Sequence, residues 1–267
     1  MMDVPSQRVE SAALTAIASG KGGVGKTWFA ITLAQAWAGL GRSVLLFDGD
    51  LGLANIDIQL GLPPGPGLGA VLAGRMRLSE AAIAHPAFGF SVLAGQSGSG
   101  ALSSLPLPQI AGLVSALRGL PFDDIIMDLG AGLDHANRHL AAQADRLLVL
   151  VTDEPTALTD AYAVIKVHAG DVPSGAPGGR DVRIAVNQAV SIVSGQRTYA
   201  KLARACSHFL HCTPPLAGII RQDDKVRDAI RHQTPLLTRH PGSPAATDMA
   251  RLARHVVDTP ILQAARG

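Results

Sequence analysis

Gly20-Lys21-Gly22-Gly23-Val24-Gly25-Lys26-Thr27 is the stretch on which the fold turns. An apolar run, Leu14–Ser19, precedes it and a helical pattern, Lys26–Leu40, follows. The pattern G-x-x-x-x-G-K-[ST] therefore stands in the strand–loop–helix setting that a phosphate-cradling loop requires. Its glycines let backbone N–H groups turn inward around phosphate oxygens, and the helix start adds the positive end of its dipole. Lys26 supplies a point charge to the outer phosphates and the Thr27 hydroxyl is placed to ligate Mg²⁺. Gly20, Lys21, Gly22, Gly23, Val24, Gly25, Lys26 and Thr27 are the first candidate contacts. Trp28 joins them, either crowding the helix start or packing under the loop.

Short apolar runs alternate with longer helical patterns on both sides of this loop, which predicts βα units and a mostly parallel, doubly wound sheet flanked by helices. Strands are expected at Leu14–Ser19, Val44–Asp48, Ser91–Ala94, Asp124–Asp128, Leu147–Thr152, Val182–Asn187 and Leu216–Ile220. Helices are expected at Lys26–Leu40, Pro108–Leu120, Asp134–Ala144, Thr156–Ala169, Arg197–Phe209, Asp224–Gln233 and Ala245–Val257. Several strands end in Ser, Asp, Thr or Asn, and open α/β sheets bind ligands at those carboxyl ends. Pro63–Gly69, Gly95–Ser104 and Pro173–Arg180 read as loops, and Met1–Ala12 as a loose lead into one P-loop domain spanning 13–267.

Composition narrows the function classes. With 267 residues, 47% of them apolar, the chain can bury a large core. A formal net charge of +2 gives no overall field that demands nucleic acid or an anionic membrane. Cys206 and Cys212 have neither the CxxC spacing nor the number of a disulfide framework and read as reduced thiols. Met1–Glu10 has no signal-peptide core and no apolar run reaches the ~20 residues of a membrane span. A cytoplasmic protein is expected.

Two acids follow the second strand in Asp48-Gly49-Asp50-Leu51-Gly52-Leu53-Ala54-Asn55-Ile56-Asp57. One Asp at a strand tip is usually a turn residue; two beside a phosphate loop suit a metal-bound water at Asp48 and an oriented attacking water at Asp50. Asp128, after Ile125-Ile126-Met127, has the apolar-strand-then-Asp pattern of a second metal-side acid. Thr27, Asp48 and Asp128 are the metal candidates, and Lys21, Lys26 and Asp50 the catalytic ones. The set suits phosphoryl transfer to water, in which positioning and electrostatics do nearly all the work. The expected cofactors are ATP and Mg²⁺, and hydrolysis is expected to be slow and adjustable by a partner.

With Lys21 the loop reads K-G-G-x-G-K-[ST], which resembles the deviant Walker-A family that includes MinD and ParA. The resemblance runs from about Leu14 to Val257 and includes the segment D-x-D-x-G-x-x-N-x-D from Asp48 to Asp57. It implies an ATP-sandwich homodimer in which Lys21 crosses to the facing phosphates. It also implies that Gly132 offers its N–H to the γ-phosphate, that Asn187 reads adenine, and that Glu154 contacts nucleotide or partner. The stretch Pro155-Thr156-Ala157-Leu158-Thr159-Asp160-Ala161-Tyr162-Ala163-Val164-Ile165-Lys166 resembles P-T-x-x-T-D-A-Y-x-x-I-K of the FlhG/FleN flagellar-number regulators. Flagellar control is thus expected ahead of septum placement and cargo or DNA partitioning. The implied partner is a flagellar-base protein, a flagellar GTPase or a transcription regulator.

Three departures stand beside that resemblance. Met1–Ala13 carries nothing like the family's D-Q-A-x-x-L-R activator motif, and Arg221 stands where relatives carry Pro. The final helix sets Met249, Leu252, Val256 and Val257 on one face, a pattern that suits a membrane surface at the inner face of the plasma membrane or a packed terminal helix. Arg221, Lys225, Arg227, Arg231 and Arg239 would make a basic patch for DNA, although helix charges of this kind are commonly solvated and DNA is not the expected partner. Two other classes on the same fold are an iron–sulfur carrier ATPase, for which the cysteines have the wrong spacing, and a non-hydrolysing binding module, against which every motif acid and lysine is present.

Overall fold

The computed structural model describes residues 11–50, 54–63, 65, 67–95, 105–172 and 181–261. Its centre is an eight-stranded sheet in the order β3-β4-β2-β5-β1-β6-β7-β8. The strands are β1 (Ala13–Ser19), β2 (Val44–Gly49), β3 (Ile83–His85), β4 (Phe90–Leu93), β5 (Asp124–Ala131), β6 (Arg146–Val151), β7 (Asp181–Ala189) and β8 (Leu216–Arg221). Every pairing is parallel except β3 with β4 at one edge.

Alternate residues of the central strands feed two separate cores, as a period of two demands. Leu45 and Phe47 of β2, Ile125 and Met127 of β5, and Leu147 and Val149 of β6 face one side. Val44, Leu46, Ile126, Leu148 and Leu150 face the other. The first side is covered by α5 (Leu107–Arg118), α6 (His135–Ala142), α7 (Pro155–Asp171) and α8 (Ile192–Leu210). The second is covered by α1 (Lys26–Gly39) and α11 (Pro244–Asp258), with α2 (Ile56–Leu60), α9 (Asp224–Arg231) and α10 (Leu236–Arg239) around them. Two short helices, α3 (Leu68–Leu72) and α4 (Leu78–Ala81), complete the described elements.

α1 is buried almost all round, from Trp28 through Trp37, because it lies between the sheet and α11. Trp37 there donates its indole N–H to the Ala253 carbonyl at 3.1 Å. The apolar face of α11 is spent in this contact: Met249, Leu252 and Val256 are all buried in the second core. Of the two uses that the stripe suits, core packing is the one seen for Met249, Leu252 and Val256. No described helix is long and apolar enough to cross a membrane.

Other expectations are adjusted locally. Ala12, placed in the loose lead, is buried and its N–H bonds the Arg118 carbonyl at 3.1 Å. α8 begins five residues before the expected Arg197, at Ile192, because Ser191 and Ser194 cap it reciprocally. α3 starts inside the expected Pro63–Gly69 loop. Most of Gly95–Ser104 and of Pro173–Arg180 lies outside the described residues.

At the end of the sheet away from the phosphate loop, Arg146 and Asp181 open β6 and β7 as register partners. Asp181 is fully buried and holds both Arg146, at 3.1 Å, and Arg183, at 2.8 Å. The two guanidinium groups also donate to the Thr259 carbonyl, and Arg183 to that of Pro260. A buried carboxylate with two cations and satisfied donors is held far more firmly than a surface pair. It fastens the chain beyond α11 to the bottom of the sheet.

Candidate active site

Strand order reverses around β1: the chain leaves it toward β2 on one side and later returns past it to β6 on the other. The crevice at the carboxyl ends of such strands is where open α/β sheets bind ligands. The 20–25 loop fills that place. Gly25 caps α1 with φ 91°, and Gly23 has φ 81°. A side chain at Gly25 would be strained by that backbone and would also meet the Asn187 amide nitrogen at 2.8 Å.

The loop is braced from behind by the end of β7. Asn187 donates from its amide nitrogen to the Val24 carbonyl at 2.8 Å, and Gln188 to the Gly23 carbonyl at 3.4 Å. Turning these carbonyls outward onto amide donors helps keep the opposite face of the loop, with its N–H groups, for anions. Asn187 thus lies beside the loop as the sequence predicts, but its amide donor is engaged by the protein. Gln188, at φ 57°, is a brace that sequence reading missed.

The acids converge as their strand ends dictate. Asp48 and Asp128 are register partners on adjacent β2 and β5, 1% and 2% exposed. Asp48 accepts backbone N–H groups from Asn55 at 3.0 Å, Ile56 at 3.1 Å and Asp50 at 3.3 Å, which ties the second-strand loop to its own acid. Burial pushes the Asp48 carboxyl up to about 6, against the pull of those N–H groups. Burial, reinforced by the Asp48 charge, pushes Asp128 up to about 7, although a Thr27 hydrogen bond and Lys26 both oppose the rise. Lys26 itself is pushed down by burial and held up by the charges of Asp128 and Asp50. Asp50 projects across to β5, where its Oδ1 lies 3.3 Å from the position a methyl group on Gly130 would take.

The arrangement fits a hard divalent cation. Asp128 Oδ1 is buried with no hydrogen-bond partner, while Thr27 and Asp48 are its neighbours. Two buried, mutually repelling carboxyls beside a hydroxyl need a cation, and Mg²⁺ takes one or two carboxylates and completes its shell with water and phosphate oxygens. Among the described residues no group of three or more His, Cys, Asp or Glu forms a dedicated cage. That is the donor set Mg²⁺ uses when it arrives with a nucleotide.

The remaining candidates surround this centre in other roles. Lys21 donates its Nζ to Glu154 at 2.5 Å and to Thr156 at 3.3 Å. Both charged side chains are exposed, 42% and 62%, so the pair is accessible at the surface. Gly132, at φ 95°, gives its N–H to the Ser19 carbonyl at 3.0 Å, so that donor is occupied here. Behind it Asn137 accepts from Gly130 N–H at 3.2 Å and fixes the Asp128–Gly132 turn, a role no sequence motif announced.

Beside the loop, next to α1, lies a cavity of about 220 Å³. Gly23, Gly25, Trp28, Asn187 and Gln188 form one wall, and segment 221–227 with Ile230 the other. Arg221 does not enter a basic stripe: Asp248 takes its side chain at 2.8 Å. Arg239 is likewise held by Asp228 at 2.5 Å. The basic patch that DNA would need, not expected from the sequence, is broken by these two carboxylates.

A phosphate loop with an acid pair suited to a hard cation, at the carboxyl ends of a parallel sheet, defines a P-loop nucleotide-binding protein. The chain belongs to the CobQ/CobB/MinD/ParA nucleotide binding domain family, which matches residues 15–236. It is 35% identical over 254 residues to the antiactivator FleN of Pseudomonas aeruginosa, covering 94% of this chain and 89% of that one. It is 30% identical over 200 residues to the flagellum site-determining protein YlxH of Helicobacter pylori, covering 72% of this chain and 64% of that one. The septum site-determining protein MinD of Pyrococcus horikoshii, solved with Mg-ADP, shares the fold with a TM-score of 0.75 at 24% identity, covering 92% of this chain and 96% of that one.

Proposed function

We propose that this protein is a nucleotide-switched ATPase that binds Mg-ATP, pairs with a second copy across the nucleotide, and by hydrolysis controls flagellar number or placement. The observation that carries the chemistry is the juxtaposition of Lys26, Thr27, Asp48 and Asp128 with Asp50 at the mouth of one loop. The pathway is supported by the likeness to YlxH, a flagellum site-determining protein, and by the resemblance of Pro155–Lys166 to the FlhG/FleN regulators.

Each residue has a task in that reaction. Loop N–H groups and Lys26 hold the outer phosphates. Thr27 and Asp128 would hold Mg²⁺, with Asp48 reaching its water shell, and the ion would supply positive charge against the charge that develops on the phosphates. Asp50 orients a water in line with the γ-phosphate, a positioning role that needs no strong base. Lys21 leaves Glu154 to reach the phosphates of the facing copy, and the exposure of the pair lets that exchange proceed at low cost. Gly132 N–H leaves Ser19 as the loop draws in.

The test is to delete the gene and count flagella and septa per cell by electron microscopy. Extra or misplaced flagella with normal division is the expected result. Unchanged flagella with minicells or lost cargo would overturn the flagellar assignment. In parallel, gel filtration with Mg-ATP should give a dimer that Lys21→Ala cannot form; an unimpaired dimer of that variant would remove the cross-interface role.

A further inference from the structure

The two tryptophans of the chain, Trp28 and Trp37, lie on one helix in different settings. Trp37 donates its indole N–H to Ala253, as buried tryptophans ordinarily do. Trp28, 6% exposed, has an indole nitrogen that is buried and has no hydrogen-bond partner. It also lines the cavity beside the phosphate loop. This cavity adjoins the phosphate loop through Gly23 and Gly25, so a nucleotide with its phosphates in the loop would have its base within reach of it.

We propose that Trp28 is a specificity-determining residue that reads the base: its indole N–H donates to a ring-nitrogen acceptor of a bound purine. This rests on the ATPase reading above. An indole nitrogen is a donor only, so it selects an acceptor edge and cannot satisfy an exocyclic amino group. The nitrogen is shielded from water in this structure, so the ring must turn about its side-chain torsions to meet the ligand; the adjoining cavity gives it room. The neighbouring donors are less available, since Asn187 and Gln188 already spend amide hydrogens on the loop. Across the cavity Asp223 accepts from Lys225 and Ala245 backbone N–H groups, which holds the facing segment in place.

The experiment compares Mg-ATP, Mg-CTP and Mg-tripolyphosphate on the wild-type chain and on Trp28→Phe. Affinity and indole emission are read together. In the wild type, ATP should shift the emission and tripolyphosphate should leave it unmoved. Trp28→Phe should bind ATP about tenfold more weakly, as loss of one donor implies, and bind tripolyphosphate as before. It should also lose the ATP-dependent emission change, because only Trp37 remains. Equal ATP affinity in the two proteins, or parallel weakening of ATP and tripolyphosphate, overturns the proposal. If the variant does not fold, a wild-type emission that ignores ATP, or answers tripolyphosphate equally, overturns it as well. A wild type that binds none of the three ligands would instead remove the ATPase reading, and this inference with it.

Discussion

The phosphate side and the base side of the cleft are built on different plans. On the phosphate side, backbone and charge meet within one loop and two neighbouring strand ends, so Lys26, Thr27, Asp48 and Asp128 are positioned by contiguous elements. On the base side, residues from α1, β7, β8 and α9 meet only because the sheet brings them together. The first region concentrates charge of both signs in a buried place, with Lys26 acting on Asp128 and Asp50. The second is stitched by neutral amides and by carboxylates already committed elsewhere. Energy from the first should therefore dominate binding, and the second should adjust selectivity.

The largest effect that follows is on Lys26. Its replacement by Ala should weaken Mg-ATP binding about a thousandfold, measured by calorimetry, because a charge-assisted contact in a partly buried site is lost. A variant that binds normally would break the contrast between the two sides. Next, Asp50→Ala should leave ATP binding and dimerisation in place while phosphate release falls roughly a hundredfold. The expected sign is a trapped dimer on gel filtration; full turnover would assign the water to another group.

Asp128→Asn should stabilise the ligand-free chain by roughly 2–3 kcal/mol at pH 8 and abolish Mg²⁺-dependent turnover. Burial raises the folded-state carboxyl to about 7 from an ordinary 3.8. The raised group favours folding fully below its ordinary value, and that contribution is lost as pH rises through about 7. The advantage of Asn should therefore shrink as pH falls from 8 toward 4, read as a urea midpoint. A gain that is the same at every pH would mean the carboxyl is not strained by burial. Smallest of all, Asn187→Ala should weaken ATP binding about fivefold, since one loop carbonyl loses its donor and the rest of the brace stays. A thousandfold loss there would make the base side an equal partner.

The same contrast explains what could be read in the sequence. The strand–loop–helix around Gly20–Thr27 and the two strand-end acids depend on local spacing, so their placement was legible, as was the sheet that carries them. Antiparallel β3 was not, because three residues with two exposed positions carry no period. Asn137 and Gln188 were missed for another reason. An amide has no motif, and its partner lies seven residues away in one case and 165 in the other. The α11 stripe was ambiguous because a surface that meets lipid and one that meets a sheet require the same apolar spacing; only the position of α1 and β8 decides between them.

The Arg146–Asp181–Arg183 cluster has a practical consequence for watching this protein in cells. It pins Thr259 and Pro260 at the end of the sheet opposite the phosphate loop. A fluorescent reporter fused after that point would depart from the far end of the sheet, leaving the phosphate loop unobstructed.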